Sequence, residues 1–198
     1  MPKQFLLPGF APAPVLDHRV FVAVLPDSKT GACINQLTWH LRSEYGLQGN
    51  PIDAGHLHVS LTGLGDYPSL PHAPVALASQ TASTVVLPPF VVSFDRVLSF
   101  SGKSLAPGER AFVLCGGDGT AGLSVLHRTL ADAMQKIGLI RDTGSRFTPH
   151  ITLLYDERSV AERTIEPIEW TVREFVLVHS RVGHKRPYAL LGRWMLHE

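Results

Sequence analysis

The chain carries almost no net charge. Eighteen Lys and Arg stand against seventeen Asp and Glu, leaving +1 over 198 residues with histidine neutral. A field that weak excludes bulk attraction to nucleic acid or to an anionic membrane, so any phosphate contact has to be local. Cysteine is scarcer still. Cys33 and Cys115 are the two present and form no C-x-x-C pair, which excludes a disulfide framework and a cysteine-rich metal site. One falls in a predicted helix and the other in a predicted strand, so both are expected as reduced core residues of a cytoplasmic protein. Long hydrophobic runs are missing too: none approaches the ~18 residues a membrane span needs, and no basic, apolar, small-residue leader opens the chain. A soluble protein is expected, with no membrane partner and no obligate protein partner. Apolar residues are plentiful at 44%, enough for one substantial core or two closely packed lobes.

Within that composition two stretches share a pattern. Phe147-Thr148-Pro149-His150-Ile151-Thr152-Leu153 and His56-Leu57-His58-Val59-Ser60-Leu61-Thr62 each hold a histidine two residues before a hydroxyl, with apolar residues between. Side chains on a strand alternate between faces, so His58 and Ser60 would face one way, and Val59 and Leu61 the other. His150 and Thr152 would do the same against Ile151 and Leu153. Their surroundings repeat as well. Position 150 lies 92 residues after position 58, as Gly138-Leu139 lies after Gly46-Leu47, while Phe112-Val113 follows Phe21-Val22, and Asp118 follows Asp27, at 91. Such self-similarity predicts a duplicated strand-helix-strand unit, about 19–66 and 110–156, and hence a pseudo-twofold molecule.

Four prolines before residue 15 make 1–18 a loosely ordered arm, leaving 19–198 as one bilobal domain. Residues 19–25 read as a buried strand that Pro26 stops. Asp27 or Ser28 can cap the helix that follows, with Cys33, Leu37, Leu41 and Tyr45 as its apolar stripe and Gly46 as its end. A helix through Leu77 and Ala78 precedes Pro88-Pro89, and residues 90–100 read as a long strand followed by a turn over 102–108. After a strand over 110–115, the spacing of Gly116, Gly117 and Gly119 fits neither a dinucleotide fingerprint nor a Walker motif and predicts a plain turn. The second helix carries Leu123, Leu126, Leu130, Met134 and Ile137, and stops at Gly138. Two strands, 169–182 and 188–196, are expected to close the chain around a basic hairpin tip.

Two imidazoles facing one cavity can divide proton donation and acceptance near neutral pH, because histidine titrates at about 6.5. The hydroxyls of Ser60 and Thr152 can donate hydrogen bonds to the non-bridging oxygens of a phosphate held between the rings. In-line displacement at phosphorus suits such a clamp. His56 and His58 on one strand face raise a metal reading as H-x-H, which no third ligand at suitable spacing supports.

The paired His-Val-Ser-Leu and His-Ile-Thr-Leu segments resemble the twin signatures of the two-histidine (2H) phosphoesterase superfamily, and Phe147 to Leu153 is most similar to its bacterial 2'-5' RNA ligase branch, whose members are also RNA 2',3'-cyclic phosphodiesterases. The resemblance runs from about Phe21 to the closing Tyr188-Ala189-Leu190-Leu191. It implies a bilobal, duplicated α+β fold, antiparallel sheets lining a central cleft with helices outside. His58 and His150 would share general acid and base duties, and Ser60 and Thr152 would hold the phosphate. No cofactor and no metal is implied. The substrate would be RNA or a nucleotide with a 2',3'-cyclic phosphate, opened to a 2'-phosphate, and the same site would join a cyclic phosphate to a 5'-hydroxyl. Many branch members carry a basic residue directly after the second motif, where this chain has Leu154-Tyr155-Asp156. Tyr155 and Tyr188 are then candidate substrate contacts, and Lys185 and Arg186 candidate sources of charge. Two alternatives stay open on sequence: a nucleotide-binding module without turnover, and a phosphodiesterase for a small cyclic phosphate such as ADP-ribose 1'',2''-cyclic phosphate.

Overall fold

The computed structural model describes residues 14–101, 105–141, 147–183 and 187–198. Thirteen of the first eighteen residues, the first three of the 102–108 turn, and Lys185 and Arg186 lie outside that range. The chain runs β1 (His18–Val24), α1 (Ser28–Glu44), β2 (Val59–Tyr67), α2 (His72–Ala82), β3 (Phe90–Phe100), β4 (Arg110–Cys115), α3 (Ala121–Lys136), β5 (His150–Asp156), β6 (Arg163–Val172), β7 (Glu174–Arg181) and β8 (Ala189–Met195). All strand pairs are antiparallel, in the order β6-β3-β4-β5-β2-β1-β7-β8. The expected α+β, bilobal, duplicated architecture is present, with β1-α1-β2 matched by β4-α3-β5.

Eight strands in this order cannot lie flat. Only Arg173 separates β6, at one end, from β7, six positions along. A flat row would put them about 29 Å apart, whereas two residue steps of extended chain span about 7 Å. The sheet therefore folds into two four-stranded halves that meet at β5 and β2. An isolated bridge from Leu87 to His197 ties the far ends together. This corrects the expected ending of the chain: residues 169–182 are not one strand, because β6 pairs with β3 in one half and β7 with β1 in the other.

α1 at both ends and α3 at its C-terminus are delimited by the residues expected to do so, whereas α2 stops at Ala82, short of Pro88-Pro89. Asp27 accepts from the Thr30 backbone N–H at 2.8 Å and caps α1. At the other end Gly46 takes φ +62°, and the Leu47 N–H reaches back to the Arg42 carbonyl. Gly138 repeats this at φ +70° with Leu139 N–H to the Met134 carbonyl. That six-to-one bond satisfies a carbonyl the helix end would otherwise orphan, and it needs a left-handed residue that glycine adopts without strain. The buried faces differ in part from the expected stripes. On α1 the inward residues are Thr30, Gly31, Ile34, Thr38 and Leu41, while Cys33 is exposed, so only Cys115 is a core cysteine. Thr38 can face inward because its hydroxyl donates to the Ile34 carbonyl at 2.7 Å. On α3 the inward set is Leu123, Leu126, Leu130, Ala131 and Met134, and Ile137 is exposed where the helix ends.

The helices cross the seam. α1 lies against β5 and β6, and α3 against β2 and β3, so each unit's helix covers a strand of the other. One continuous core results, joining Val20, Val22 and Leu57 to Phe112, Leu126 and Ile151. Two smaller apolar clusters hold residues at alternate positions along β1 and β4: Phe21 and Ala23 with Val176 and Val178, and Ala111, Val113 and Cys115 with Phe100. β1 is thus buried on both faces, which is why residues 20–25 are apolar without interruption. Among the described residues no helix is long and apolar enough to cross a membrane.

Candidate functional site

The two motifs lie side by side at the junction of the halves. Val59 of β2 is matched with Ile151 of β5, and both are fully buried. Antiparallel geometry around that pair sets His58 toward Thr152 and Ser60 toward His150. The flanking ladders repeat: Ala23 pairs with Ser60 and Val22 with Thr62, skipping Leu61, while Val113 pairs with Thr152 and Phe112 with Leu154, skipping Leu153. Both units therefore carry a β-bulge one residue past the hydroxyl, which breaks the alternation and lets Leu61-Thr62 and Leu153-Leu154 be buried in succession. The carbonyls of the skipped residues are met from outside the ladder: Leu61 accepts from His127 Nδ1–H at 2.7 Å, and Leu153 from the Ile52 N–H at 2.7 Å. His127 also stacks on Phe147, ring centroids 4.0 Å apart, so it joins the first motif to the approach of the second.

Strand alternation was expected to begin before His58. Instead Ala54–His56 form a 3-10 turn and β2 starts at Val59, so His56 is not on a strand face with His58. The turn has a use. His58 Nδ1 lies 2.8 Å from the His56 carbonyl, and His150 Nδ1 lies 2.8 Å from the Thr148 carbonyl, the same two-residue reach in each unit. A carbonyl can only accept, so each ring carries its proton on Nδ1 and presents Nε2. On His58 that Nε2 accepts from the Ser60 hydroxyl at 3.0 Å. Burial pushes the His58 imidazole below its usual range and a charge on His150 adds to the effect, against the raising influence of the His56 carbonyl. His58 is thus neutral at neutral pH.

Aromatic rings set both histidines in place. Phe21 lies 5.0 Å from the His58 ring and Phe100 lies 5.3 Å from His150, edge-on. Tyr188 meets His56 at 4.7 Å and His58 at 5.5 Å, both edge-on, with its oxygen 3.4 Å from His58 Nδ1. Burial pushes the Tyr188 phenol up to about 12, so it stays protonated. Tyr155 is 41% exposed and within electrostatic reach of Tyr188. Asp156 is structural: its carboxylate accepts the backbone N–H of Gln48 at 2.5 Å, Gly49 at 2.7 Å and Arg158 at 2.9 Å. Phe21, Phe100 and His127 were not singled out from sequence. Phe21 could have been, since it alternates with the second apolar face of β1, whereas the contacts of Phe100 and His127 cross between elements and leave no local signal.

The 2'-5' RNA ligase superfamily profile matches residues 25–184. The chain belongs to that superfamily of 2H phosphoesterases. Among solved structures, E. coli LigT complexed with 3'-AMP superposes at TM-score 0.68 with 28% identity, covering 92% of this chain and 99% of LigT. LigT complexed with phosphate gives 0.62 and 29%, covering 93% and 100%. A protein described as a phosphoesterase gives 0.68 and 26%, covering 91% and 99%. No curated protein sequence matches the chain.

Proposed function

We propose that the chain is a metal-independent 2',3'-cyclic phosphodiesterase of RNA or nucleotides that leaves a 2'-phosphate. The observation that carries this reading is the matched pair of imidazoles, each with Nδ1 fixed by the carbonyl two residues back and Nε2 left as the proton-transfer atom, which on His58 requires the Ser60 hydroxyl to turn from the ring to the phosphate. A module that only binds needs no such pair of donor and acceptor. His58, kept neutral by burial, is assigned as the base that takes a proton from the attacking water. The water oxygen bonds to phosphorus as the bond from phosphorus to the 3' oxygen breaks, and His150 protonates that departing oxygen. His58 ends protonated and His150 neutral, and exchange with solvent restores both. Ser60 and Thr152, diagonal to each other across the seam, donate to the non-bridging oxygens, where charge builds up. With a 5'-hydroxyl in place of water, the same displacement forms a 2'-5' linkage. Tyr155 and Tyr188 contribute aromatic surface for a base, and the nucleotide and phosphate bound by LigT suit the same chemistry.

The test is incubation of the purified protein with adenosine 2',3'-cyclic phosphate and with RNA ending in a 2',3'-cyclic phosphate, resolving 2'- from 3'-phosphate products. Accumulation of 2'-phosphate that disappears in His150→Ala is expected. Binding without turnover would leave only the nucleotide-binding module, and no reaction with either substrate would turn the reading toward a small cyclic phosphate.

A further inference from the structure

A cation that the chemistry above does not use stands on the same strand face as Phe21 and Ala23. Arg19 precedes Phe21 by two residues on β1, and the pairing of β1 with β7 is regular there, so the two side chains share a face. Directly opposite on β2 is Asp66, whose two carboxylate oxygens accept from Arg19 Nε at 2.7 Å and Nη2 at 2.8 Å. The Arg19 side chain is 52% exposed. An ion pair that open to water contributes roughly 0–1 kcal/mol to stability, but its bidentate geometry through Nε and Nη2 holds the guanidinium in one orientation and does not engage Nη1. Tyr155 and Tyr188, which come from different halves of the molecule, both lie within electrostatic reach of the guanidinium. Between Arg19 and Tyr155, β2 carries Gly63 and Gly65, and a Cβ at Gly63 would meet nothing within 4 Å. On the β2 side the ground from the clamp to Arg19 is therefore open at Gly63, and on the β1 side it is bounded by Phe21, which is buried with Tyr188 packed beside it.

Four residue steps along β1 separate Ala23, opposite Ser60, from Arg19, about 13 Å of strand. The guanidinium is held by Asp66, directly opposite Arg19, so a bound strand has that span to cross. A cyclic phosphate at the 3' end of RNA has the rest of the strand on its 5' side, with another phosphodiester one nucleotide away. We propose that Arg19, oriented by Asp66, binds an internal phosphodiester of that strand and so makes the site favour an RNA end over a cyclic mononucleotide. The assignment rests on the phosphodiesterase reading above. A planar guanidinium suits two phosphate oxygens better than an ammonium does, and a held guanidinium loses little freedom on binding.

The experiment compares kcat/KM for adenosine 2',3'-cyclic phosphate with that for a short oligoadenylate ending in the same group, in the unmodified protein, Arg19→Gln and Arg19→Lys. Arg19→Gln is expected to lower the oligonucleotide value about 10- to 100-fold, the size of a lost charged hydrogen bond, and to leave the mononucleotide value within about twofold. It should also flatten the salt dependence of the oligonucleotide reaction by a slope of about 0.7, one phosphate contact on a single strand. Arg19→Lys should recover part of the loss. Equal loss on both substrates, or loss on neither, would overturn the inference alone. No turnover of either substrate by the unmodified protein would overturn the phosphodiesterase reading and this inference with it.

Discussion

Val59 and Ile151, the residues immediately after the two histidines, face each other across the seam, and among the described residues they are the one matched pair between β2 and β5. Because equivalent residues of the two units meet there, the pseudo-twofold axis passes between them. The geometry of the clamp follows from that single contact. Had the strands been matched one residue out of register, alternation would have turned one histidine toward the core. Pairing that stops after one residue also frees the two strands to diverge on either side of it.

The first prediction concerns the histidines themselves. His58→Ala and His150→Ala should each lower turnover of a 2',3'-cyclic phosphate by about 10²–10⁴-fold, the usual contribution of a general acid or base. The double variant should be little worse than the worse single one, since the two act in one step. Neither ring is fully buried, so both variants should still fold and unfold cooperatively, with the larger fall in melting temperature in His58→Ala, whose ring packs on Phe21 and Tyr188. A single variant with near-native rate would remove its histidine from the chemistry.

The acid limb of the pH profile is a second test. Hydrolysis as assigned needs His58 neutral, and burial and His150 hold its folded pKa below the usual 6.5. In kcat/KM, which reports the free protein, activity should therefore persist as pH falls through 6.5 and decline only at lower pH. The stability sign agrees. Below 6.5 the unfolded chain gains a proton that the folded site resists, so His58 contributes stability that is complete above 6.5 and falls as pH drops toward its folded value. A limb centred at or above 6.5 would exclude His58 as the base.

Much of this was legible in the sequence, for stated physical reasons. The repeat at 91–92 residues exposed the duplication, and two-residue alternation placed His58 with Ser60 and His150 with Thr152, because both signals are local. Helix ends at Gly46 and Gly138 were legible because few other residues adopt their backbone angles freely. The twin bulges were not, since a skipped residue is defined by its partner strand, and neither was the break at Arg173, which interrupts a run of uniform strand propensity. Of the expected α1 stripe, Leu41 is buried and Leu37 and Tyr45 pack against the core, and only Cys33 misled, because it lies beside an inward face that also takes in Thr30, Gly31, Ile34 and Thr38. Only the Thr38 hydroxyl's bond to Ile34, seen in three dimensions, shows why a polar residue faces the core there.

Asp156 offers a stability test separate from catalysis. Burial works to raise its carboxyl, but the amides of Arg158, Gly49 and Gln48 outweigh it and hold the group below the usual carboxylate range. Asp156→Ala leaves those donors unmet, at about 1–3 kcal/mol for each that water does not reach. The contribution is present above about 3.9, the unfolded value, and is lost as pH falls through the lower folded value. Gly49→Ala attacks the same junction by crowding, because its Cβ would sit 1.9 Å from the Tyr155 carbonyl oxygen. Both variants should lower the midpoint of urea unfolding at pH 7, and the gap between Asp156→Ala and the unmodified protein should narrow toward pH 2. A gap that does not change with pH would show that the carboxylate charge is irrelevant there.

Removal of divalent metal is the last test. Proton transfer is assigned to two imidazoles and charge stabilisation to two hydroxyls, so no step calls on a Lewis acid. The rival reading gave His56 and His58 to a metal, but His58 Nδ1 already faces the His56 carbonyl at 2.8 Å and its Nε2 faces Ser60 at 3.0 Å. A metal would have to displace one of those bonds, and with it either the tautomer or the phosphate donor. Turnover of adenosine 2',3'-cyclic phosphate should therefore be unchanged after dialysis against EDTA and unchanged again when magnesium, manganese or zinc is returned. Activity lost to the chelator and restored by one of these ions would overturn the assignment, and a parallel loss in His56→Ala would place the ion at that turn.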